Sequence, residues 1–514
     1  MSITVIRWMA MGCFLLNLLV QSVHFVHMLQ LNSYRGERYR KWCRDNVSVL
    51  FSGKRLLPVL NIAALWLSLK WGTALVAVVF FVTALVNIPK KAKKPLVVTA
   101  RVKRLFATFT VVAAAVGCLA ALLPYTIVWL SAFSLPVWLW VFLANTINTP
   151  LEKAIANGYV KDAKNRLRTH PDLTVIGVTG SYGKTSTKTY LQALLSVKYN
   201  VLMTPESYNT TMGVVRTVRE RLLPSHQIFI AEMGAKNRGD IEEICRLVEP
   251  TYGVITSIGE QHLETFKTVE NIVATKFELA EALPSEGRLF ANRDCDRITA
   301  QLNEHAPLCP VTTYGLNGGD VTVTQLSVSN NGTTFTVKAG EEIQAFTTHL
   351  LGAHMIQNLV GCIAVAVSLG ITLKELVYPI RRLKPVEHRL QLLPNGFIDD
   401  AYNANPAGFR AALDVLNAFD AQRVLVTPGM VELGTAQERL NRELGAYAAE
   451  RCDYAILVGL KQAPPLKEGL LSAGFKEENI AVVPTLQEGL AVLNTLPRAD
   501  RRIVLLENDL PDNF

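Results

Sequence analysis

The stretch Val175-Ile176-Gly177-Val178-Thr179-Gly180-Ser181-Tyr182-Gly183-Lys184-Thr185-Ser186 decides the fold of the larger part of this chain. Its apolar half predicts a buried strand, and its glycines predict a tight turn before a helix that opens on Gly-Lys-Thr. Backbone amides of such a turn and the ammonium of Lys184 face phosphate oxygens, while the Thr185 hydroxyl faces magnesium. The general phosphate-loop pattern places a glycine where this chain has Val178. The stretch nevertheless predicts an ATP site.

The charge of the 514-residue chain is unevenly distributed. Residues 1–150 hold 16 of the 52 Lys/Arg residues but only Glu37 and Asp45 of the 43 acidic ones, which leaves 36 basic against 41 acidic residues in the remainder. An apolar, acid-poor first third beside a mildly acidic remainder predicts a membrane segment followed by a soluble enzyme, not a nucleic-acid-binding protein. The eight cysteines form no Cys-x-x-Cys pair, which argues against disulfides and a zinc site.

Residues 1–150 contain apolar runs at about Trp8–Leu29, Leu56–Ile88, Leu105–Pro124 and Tyr125–Ile147. The second run exceeds the roughly 20 residues of one crossing, and Lys70-Trp71-Gly72 interrupts it. Because basic clusters flank this run on both sides, two short crossings with a turn at Lys70–Gly72 would put both clusters in the cytoplasm. We therefore expect about five spans in the cell membrane with the ATP site in the cytoplasm. Two points stay open: four spans instead of five, and a re-entrant hairpin in place of the two short crossings.

Two further features accompany the spans. His24 and His27 share one face of the first span and are either a functional pair or, more commonly, interfacial histidines. Residues 151–170 predict an amphipathic helix that links the membrane region to the enzyme.

From Thr174 onward, β-type runs alternate with helical patterns, which is the signature of a parallel, doubly wound sheet. The predicted strands are Thr174–Val178, Gln227–Ala231, Tyr252–Thr256 and Arg288–Ala291. A β-rich insert is expected at Val321–Thr348 with a hairpin turn at Asn330-Asn331-Gly332, and a helix at His354–Leu369. A second α/β unit follows Lys384-Pro385, with strands near Phe397–Asp399, Arg423–Val426, Tyr454–Val458 and Ile503–Leu506.

Three residues outside the phosphate loop become candidate site residues when they are considered together with the loop. Glu232 ends an apolar strand, at the sheet edge where a magnesium ligand is wanted. His262 follows the next predicted strand, and Lys276 lies on the helical stretch after it. Each signal is weak alone, because a lone histidine or helical lysine usually has no role in chemistry.

Together these motifs resemble the Mur ligase family, ATP-dependent amide ligases of cell-wall synthesis. The resemblance covers roughly residues 170–514 and is closest to the branch that adds D-alanyl-D-alanine to a UDP-muramoyl-tripeptide. Its motifs are Thr179–Ser186, Tyr208-Asn209-Thr210, Glu232-Met233-Gly234-Ala235, His262-Leu263-Glu264, Asn292, Gly352-x-His354-x-x-x-Asn358, His388-Arg389, Asp399–Pro406, Leu433-Gly434 and Arg442–Gly445.

The resemblance implies the fold and the roles of the site residues. It implies a central P-loop ATPase domain at 171–384, a parallel sheet with a β-rich insert, and a Rossmann-like α/β domain at 385–514. Lys276 matches a lysine that the family carbamylates, which converts a cation into a bridging carboxylate for a second magnesium. Nucleotide contacts would come from Thr179, Gly180, Ser181, Tyr182, Gly183, Lys184, Thr185, Ser186, Asn209, Asn292, Arg389 and Asp400. Magnesium ligands would be Thr185, Glu232, His262 and Lys276, and the catalytic groups Lys184, His262, Lys276 and Arg389.

The departures from the family pattern concern the substrates. Membrane spans replace the domain that holds the UDP-sugar, Met355 stands where asparagine is usual, and Glu507–Asn513 replaces a Lys-Gly-Ser-Arg run. The expected protein is a membrane-bound ligase that uses ATP and Mg²⁺. Its substrates would be a cell-wall precursor, soluble or lipid-linked, and an amino acid or dipeptide. The alternatives are a Mur-type ligase of a capsule or γ-linked polymer, a catalytically inactive membrane scaffold and, least fitting, a P-loop transporter.

Overall fold

A computed structural model describes residues 3–89, 95–123, 125–261, 263–329, 332–402, 405–431, 433–460, 463–497 and 499–508. The chain divides into two compact units, Met1–Gly158 and Tyr159–Asp512. The first unit is helical, and the second contains two β-sheets covered by helices. The α/β character predicted for the larger part of the chain is confirmed.

The first unit is built from helices whose apolar sides form a common core. Phe14 and Phe80, both fully buried, meet edge to face with ring centroids 5.4 Å apart. The helices are α1 (Ile3–Leu31), α2 (Gly36–Asp45), α3 (Val47–Leu50), α4 (Gly53–Leu56), a 3₁₀ helix (Leu57–Trp66), α5 (Leu69–Val86), α6 (Ala100–Leu122), α7 (Thr126–Ser134) and α8 (Val137–Arg168).

Two of these helices have the length and apolar composition of a membrane span, at Val5–Leu31 and Ala100–Leu122. The bent pair α7 and α8 would raise the number to three if it counts as one span. This is fewer than the five expected from the sequence, because the segment predicted as two short crossings folds as a 3₁₀ helix and the shorter helix α5. The number of crossings stays a prediction.

The predicted hairpin in the second apolar run exists, but its turn lies earlier in the chain. The break falls at Leu67-Ser68, and Lys70-Trp71-Gly72 belongs to α5. Gly72 allows the two arms to approach closely, since a Cβ on it would lie 2.6 Å from the carbonyl oxygen of Ala64. The glycine was therefore correctly read as part of the hairpin but is a packing position rather than a turn residue.

The last predicted span is broken at Leu135-Pro136, where α7 and α8 meet at 74°. A proline lacks the N–H that a continuous helix needs at this position. Helix α8 then runs without interruption to Arg168 with Pro150 inside it. Residues 151–168 are therefore the second half of a long helix rather than a helix of their own.

The central sheet contains nine described strands in the order β2-β3-β1-β4-β5-β6-β7-β8-β9. Its first seven strands in this order are parallel neighbours, and the last three form antiparallel pairs. The β-rich insert thus extends the same sheet; the hairpin residues Asn330 and Asn331 lie outside the described residues. The strands are β1 (Thr174–Thr179), β2 (Val201–Met203), β3 (Ile228–Glu232), β4 (Tyr252–Ile255), β5 (Arg288–Asn292), β6 (Val311–Gly315), β7 (Val321–Ser329), β8 (Gly332–Ala339) and β9 (Glu342–Thr348).

The second sheet contains six described strands in the order β10-β11-β15-β12-β13-β14, with β10 antiparallel to β11 and the others parallel. The strands are β10 (Gln391–Leu392), β11 (Phe397–Asp400), β12 (Gln422–Thr427), β13 (Tyr454–Val458), β14 (Ile480–Val483) and β15 (Arg502–Glu507). This confirms the four strands predicted after Lys384-Pro385.

Helices cover both sheets and supply the apolar residues of their cores. The predicted helix at His354–Leu369 is present as α15, and ten of its residues are buried. The α-helices are α9 (Lys184–Leu195), α10 (Thr211–Arg221), α11 (Asp240–Val248), α12 (Leu263–Phe266), α13 (Val269–Glu281), α14 (Asp296–Glu304), α15 (Ala353–Ser368), α16 (Val377–Arg381), α17 (Pro406–Asn417), α18 (Gln437–Ala448), α19 (Ala463–Ser472) and α20 (Leu486–Thr495), with 3₁₀ helices at Gly434–Ala436 and Glu477–Asn479.

Candidate active site

The phosphate loop folds as the sequence predicts: β1 ends at Thr179 and α9 begins at Lys184. Gly180 and Gly183 have φ angles of 149° and 80°, which side chains rarely adopt. A Cβ on Gly183 would also lie 2.5 Å from Oδ1 of Asn358. The two glycines are therefore required both by the backbone turn and by close neighbours.

The glycine that is displaced from the general pattern has a packing role. Gly177 lies inside β1, where a Cβ would come within 2.7 Å of Cδ1 of Leu279 and 2.9 Å of Cε of Met233. Gly177 thus lets α13, the helix that carries Lys276, approach the central strand. This close packing explains why the chain has a glycine at this position.

The segment after β4 holds the loop in place. The Ser181 amide donates to the carbonyl of Ser257 at 2.7 Å, and the Ser181 hydroxyl donates to the carbonyl of Gly259 at 3.1 Å. The Tyr182 hydroxyl donates to the carbonyl of Glu260 at 2.8 Å. The side chains of these two predicted nucleotide contacts therefore brace the loop, as does the Thr179 hydroxyl, which donates to the carbonyl of Met233 at 2.9 Å. Ser186 is buried.

Lys184 curls back over the loop. Its Nζ donates to the carbonyl oxygens of Gly180 at 2.8 Å and Ser181 at 3.0 Å. Burial lowers the pKa of Lys184 to about 8, with a further lowering from Arg389 that Glu232 opposes. The ammonium is thus desolvated in advance, which strengthens its attraction to phosphate oxygens.

The carboxylate of Glu232 contacts two of the other predicted residues, Thr185 and Asn209. The Thr185 hydroxyl lies 3.1 Å and 3.3 Å from its two oxygens. The Asn209 amide donates to Oε1 at 3.0 Å. Glu232 is 1% exposed, so its charge is held by these contacts rather than by water.

Lys188 is a member of this cluster that the sequence reasoning missed. Its Nζ lies 2.8 Å from Oε2 of Glu232, and both side chains are 1% exposed. It also donates to the backbone carbonyl of Glu206, on the loop that leads to Asn209. The spacing could have revealed it, because a residue four positions after Lys184 lies on the same face of α9.

The donor set fits a magnesium ion. A threonine hydroxyl and a carboxylate are hard oxygen ligands, and magnesium commonly takes one or two carboxylates together with substrate phosphates. Thr185 and Glu232 would hold the ion beside the loop, with Asn209 orienting the carboxylate. The ion would supply positive charge to the phosphate oxygens. Of the other two predicted ligands, His262 lies outside the described residues.

Lys276, the remaining predicted ligand, is 2% exposed on α13. Burial lowers its pKa well below the usual value, and the nearby Lys184 lowers it further, while Glu278 and Asp240 act in the opposite direction. Burial therefore favours the neutral amine, which has a free electron pair, over the ammonium. A neutral amine is the form that attacks carbon dioxide, which agrees with the predicted carbamylation.

Asn292 lies at the end of β5 and is 3% exposed. Its amide donates to the carbonyl of Thr256 at 2.7 Å and accepts from Gln357 at 3.2 Å and from the Asp294 amide at 3.0 Å. The predicted adenine contact is thus part of a network that joins β4, β5 and α15.

Arg389 brings the second sheet's region to the phosphate loop. It lies between His388 and Leu390, which have positive φ angles of 58° and 45°. Its guanidinium carbon lies 4.3 Å from the ring centroid of Tyr402, and its charge acts on Lys184. The Tyr402 hydroxyl in turn is hydrogen-bonded to the Ser207 hydroxyl, on the loop before Asn209.

Asp400 forms a carboxyl pair that the sequence did not suggest. It lies opposite Glu507 in the parallel pairing of β11 and β15, and the two side chains are hydrogen-bonded. Burial raises the pKa of Asp400 to about 6, whereas Arg389 and the amide of Leu390 act to lower it. Burial and the neighbouring Asp400 raise the pKa of Glu507 well above its usual value. The pair therefore holds a proton more readily than two separate carboxyl groups would.

The comparisons with known proteins agree with this geometry. Residues 178–366 match the Mur ligase middle domain, and residues 388–506 match the glutamate ligase domain of Mur ligases. A UDP-N-acetylmuramoyl-tripeptide–D-alanyl-D-alanine ligase of Bacillus subtilis is 32% identical over 350 residues, which cover 66% of this chain and 72% of that protein.

Solved structures give the same result. MurF from Acinetobacter baumannii is similar with a TM-score of 0.63 and 28% identity over 68% of this chain and 77% of that one. The MurF ligase of Thermotoga maritima, in complex with ADP, has the same fold at 24% identity, with a TM-score of 0.62 over 69% and 80% of the two chains. With both domains matched and a phosphate loop, a buried acid and a buried lysine in place, this chain belongs to the Mur ligase family and is an ATP-dependent carbon–nitrogen ligase.

Proposed function

We propose that the protein is a membrane-bound ligase of cell-wall precursor synthesis that joins the carboxylate of a precursor peptide to an incoming amine. The amine is D-alanyl-D-alanine or a related amino acid or dipeptide, as the name of the Bacillus subtilis relative suggests. The acceptor is held at the cytoplasmic face of the membrane. The observation that carries the chemistry is the cluster of Lys184, Thr185 and Glu232 with the buried Lys276 on the neighbouring helix.

The reaction follows from what the site can stabilise. An oxygen of the acceptor carboxylate attacks the γ-phosphorus of ATP, the bond to the β-phosphate oxygen breaks, and ADP leaves with that electron pair. The amine nitrogen then attacks the acyl carbon, and the phosphate leaves as the amide forms and the nitrogen loses a proton. Lys184 and the amides at the start of α9 balance the negative charge on the transferred phosphoryl group.

Lys276 takes part in this scheme after carbamylation, which converts its basic amine into an anionic carbamate. Its neutral amine attacks carbon dioxide, a C–N bond forms, and a proton leaves to give a carbamate. The product has two carboxylate oxygens on a side chain longer than that of glutamate. Carbamylated Lys276 would join Thr185 and Glu232 as an oxygen ligand for magnesium.

The membrane-held acceptor rests on the first unit of the chain. The two matched domains begin at residue 178, and the helical unit that precedes them has candidate spans at Val5–Leu31 and Ala100–Leu122. A lipid carrier would confine the acceptor to the layer in which the enzyme lies and raise its effective concentration at the site. The position of this unit, where the family has its UDP-sugar domain, supports such an acceptor.

The chemistry is tested by measuring phosphate release from the full chain in nanodiscs. We expect release to require ATP, a muramoyl-peptide acceptor and an amine together, with ADP as the nucleotide product. Formation of AMP and pyrophosphate would disprove the acyl-phosphate route. Lack of turnover with every carboxylate and amine pair would favour an inactive scaffold.

The acceptor is tested by presenting the same peptide in two forms, UDP-linked in solution and linked through diphosphate to a polyprenyl lipid in the nanodisc. We expect a kcat/KM at least tenfold higher for the lipid-linked form. Equal values would mean that the helical unit serves only as an anchor.

A further inference from the structure

The helical unit contains a buried arginine whose charge has no acidic partner among the described residues. Arg55 lies in α4 and is only 8% exposed. Its Nη1 donates to the carbonyl of Val49, and its Nε is buried without a hydrogen-bond partner. A buried cation without a counter-ion costs several kcal/mol, so such a site is retained when an anion completes it.

The surroundings of Arg55 explain why the anion is not a carboxylate of the chain. Residues 1–150 contain only Glu37 and Asp45 as acidic residues. The guanidinium carbon lies 4.4 Å from the centroid of the Phe25 ring, an aromatic contact that neutralises little of its charge. A negative charge beside Arg55 would therefore have to be supplied by a separate molecule.

His24 adds a second polar group to the same place. Its ring lies 5.3 Å from the ring of Phe25, against which Arg55 packs, and 6.0 Å from the ring of Trp42. Its Nε2 is buried without a hydrogen-bond partner. Arg55 and His24 lie within electrostatic range of each other. We call Arg55 and His24 with Phe25 and Trp42 the Arg55 site.

Further buried polar side chains extend from the Arg55 site along α1. Gln21 donates to Oδ1 of Asn17 at 3.0 Å, and these side chains are 1% and 0% exposed. Nδ2 of Asn17 and Nε2 of His27 are also buried without partners. Asn17, Gln21 and His24 follow one another at helical spacings of four and three residues, so they share one face of α1. An apolar helix bundle thus contains a row of buried polar side chains that ends at a cation, with unpartnered nitrogens on Asn17, His24 and His27 and an unpartnered oxygen on Gln21.

We propose that the Arg55 site binds the phosphate group of a membrane lipid. The planar guanidinium matches phosphate oxygens with two parallel N–H bonds, and a histidine N–H supplies a third donor. Arg55 directly precedes the second apolar run and belongs to the basic cluster predicted at the cytoplasmic surface, which is the level of lipid headgroups. This inference rests on the proposed membrane location, and it deepens the proposed function if the lipid is the one that carries the acceptor.

The experiment measures lipid binding directly, without turnover. The full chain is purified in nanodiscs of phosphatidylcholine that contain polyprenyl diphosphate, phosphatidylglycerol or phosphate-free diacylglycerol, and lipids retained on the protein are counted by native mass spectrometry. Three variants are compared with the wild type: Arg55→Gln, Arg55→Lys and the matched control Lys54→Gln, which removes the exposed neighbouring charge.

We expect the wild type and Lys54→Gln to retain polyprenyl diphosphate at least tenfold better than diacylglycerol. Arg55→Gln should lose this preference. Arg55→Lys, which keeps the positive charge but lacks the two parallel N–H donors of the guanidinium, should keep part of it. Preference for the diphosphate over phosphatidylglycerol assigns the site to the carrier lipid, and equal retention assigns it to bulk anionic lipid. Either result supports the site.

Undiminished retention by Arg55→Gln, or equal retention of diphosphate and diacylglycerol by the wild type, would overturn the inference. If Arg55→Gln fails to fold, Arg55→Lys and His24→Gln provide the same comparison. The proposed function fails separately: retention of polyprenyl diphosphate without turnover of the lipid-linked peptide refutes the acceptor, whereas turnover with Arg55-independent binding refutes only the Arg55 site.

Discussion

Replacing Lys188 by methionine tests the buried ion pair at the centre of the site. Methionine keeps the length and most of the volume of lysine. Among the described residues, it leaves the 1% exposed Glu232 carboxylate with only Thr185 and Asn209 as side-chain partners. Removing one member of a buried ion pair costs about 3–5 kcal/mol, because the other charge stays buried. The second unit has roughly 350 residues, and unfolding entropy is about 2.1 cal/mol/K per residue, which gives about 0.74 kcal/mol/K. If this unit melts cooperatively, Tm should fall by about 4–7 °C.

The assay is differential scanning fluorimetry of the full chain with three comparison proteins. Lys374→Met removes an exposed lysine of the same unit and should change Tm by less than about 1 °C. Glu232→Gln and the double variant complete a double-mutant cycle. The double variant should lose less than the sum of the two single losses, because it leaves no unpaired buried charge. Millimolar Mg²⁺ should raise the Tm of Lys188→Met more than that of the wild type, since a cation replaces the lost ammonium.

Two results would refute this reasoning. A Tm loss for Lys188→Met no larger than that of Lys374→Met would mean that Lys188 does not stabilise the carboxylate. Strict additivity in the cycle would mean that Lys188 and Glu232 act independently, whatever their distance.

Three further predictions concern the site. Lys276→Ala should lower phosphate release about 10²-fold, as expected for a magnesium ligand worth about 3 kcal/mol, with partial recovery in formate or chloride; full activity would contradict a carbamate. ATP binding at pH 9 should be accompanied by the uptake of close to one proton, because Lys184, with a pKa of about 8, becomes charged when it faces the triphosphate. Calorimetry in two buffers of different ionisation enthalpy measures this uptake, and zero uptake would contradict the prediction. Because the pKa of Asp400 is raised to about 6, the folded state holds more protons than the unfolded state, and Tm should fall as pH rises from about 4 towards neutrality. Glu507→Gln should make this fall of Tm less steep. An unchanged pH profile of Tm in that variant would show that Asp400 and Glu507 do not share a proton.

The sequence was most informative where local patterns specify structure. The phosphate loop, the strands that end at Glu232 and Asn292, and the β-rich insert all follow from short stretches with strong periodicity or glycine spacing. Strands β2, β6 and β14 were missed because they are three to five residues long and lack a marked alternation.

Contacts between distant segments could not be derived in this way. The pairing of Lys188 with Glu232 needs the register of β1 and β3, and the pairing of Asp400 with Glu507 needs the order of the second sheet. In the helical unit, hydropathy located the apolar runs but not their breaks. Pro136 marks the break between α7 and α8 through backbone geometry rather than polarity, and the close Gly72–Ala64 approach concerns how the two arms pack rather than where they break.

The hydrogen bond between Ser207 and Tyr402 has a thermodynamic consequence. The loop that contains Ser207 also contains Asn209, whose amide donates to the Glu232 carboxylate. Ser207 itself is hydrogen-bonded to Tyr402, in the segment that follows β11. A ligand that shifts Tyr402 and, through Ser207, the position of Asn209 would therefore change the free energy of binding at the phosphate loop. Linkage is reciprocal, so nucleotide must change the affinity for that ligand by the same factor. An ordered sequence of substrate binding can thus arise from a single loop shared by two sheets, without a separate regulatory site.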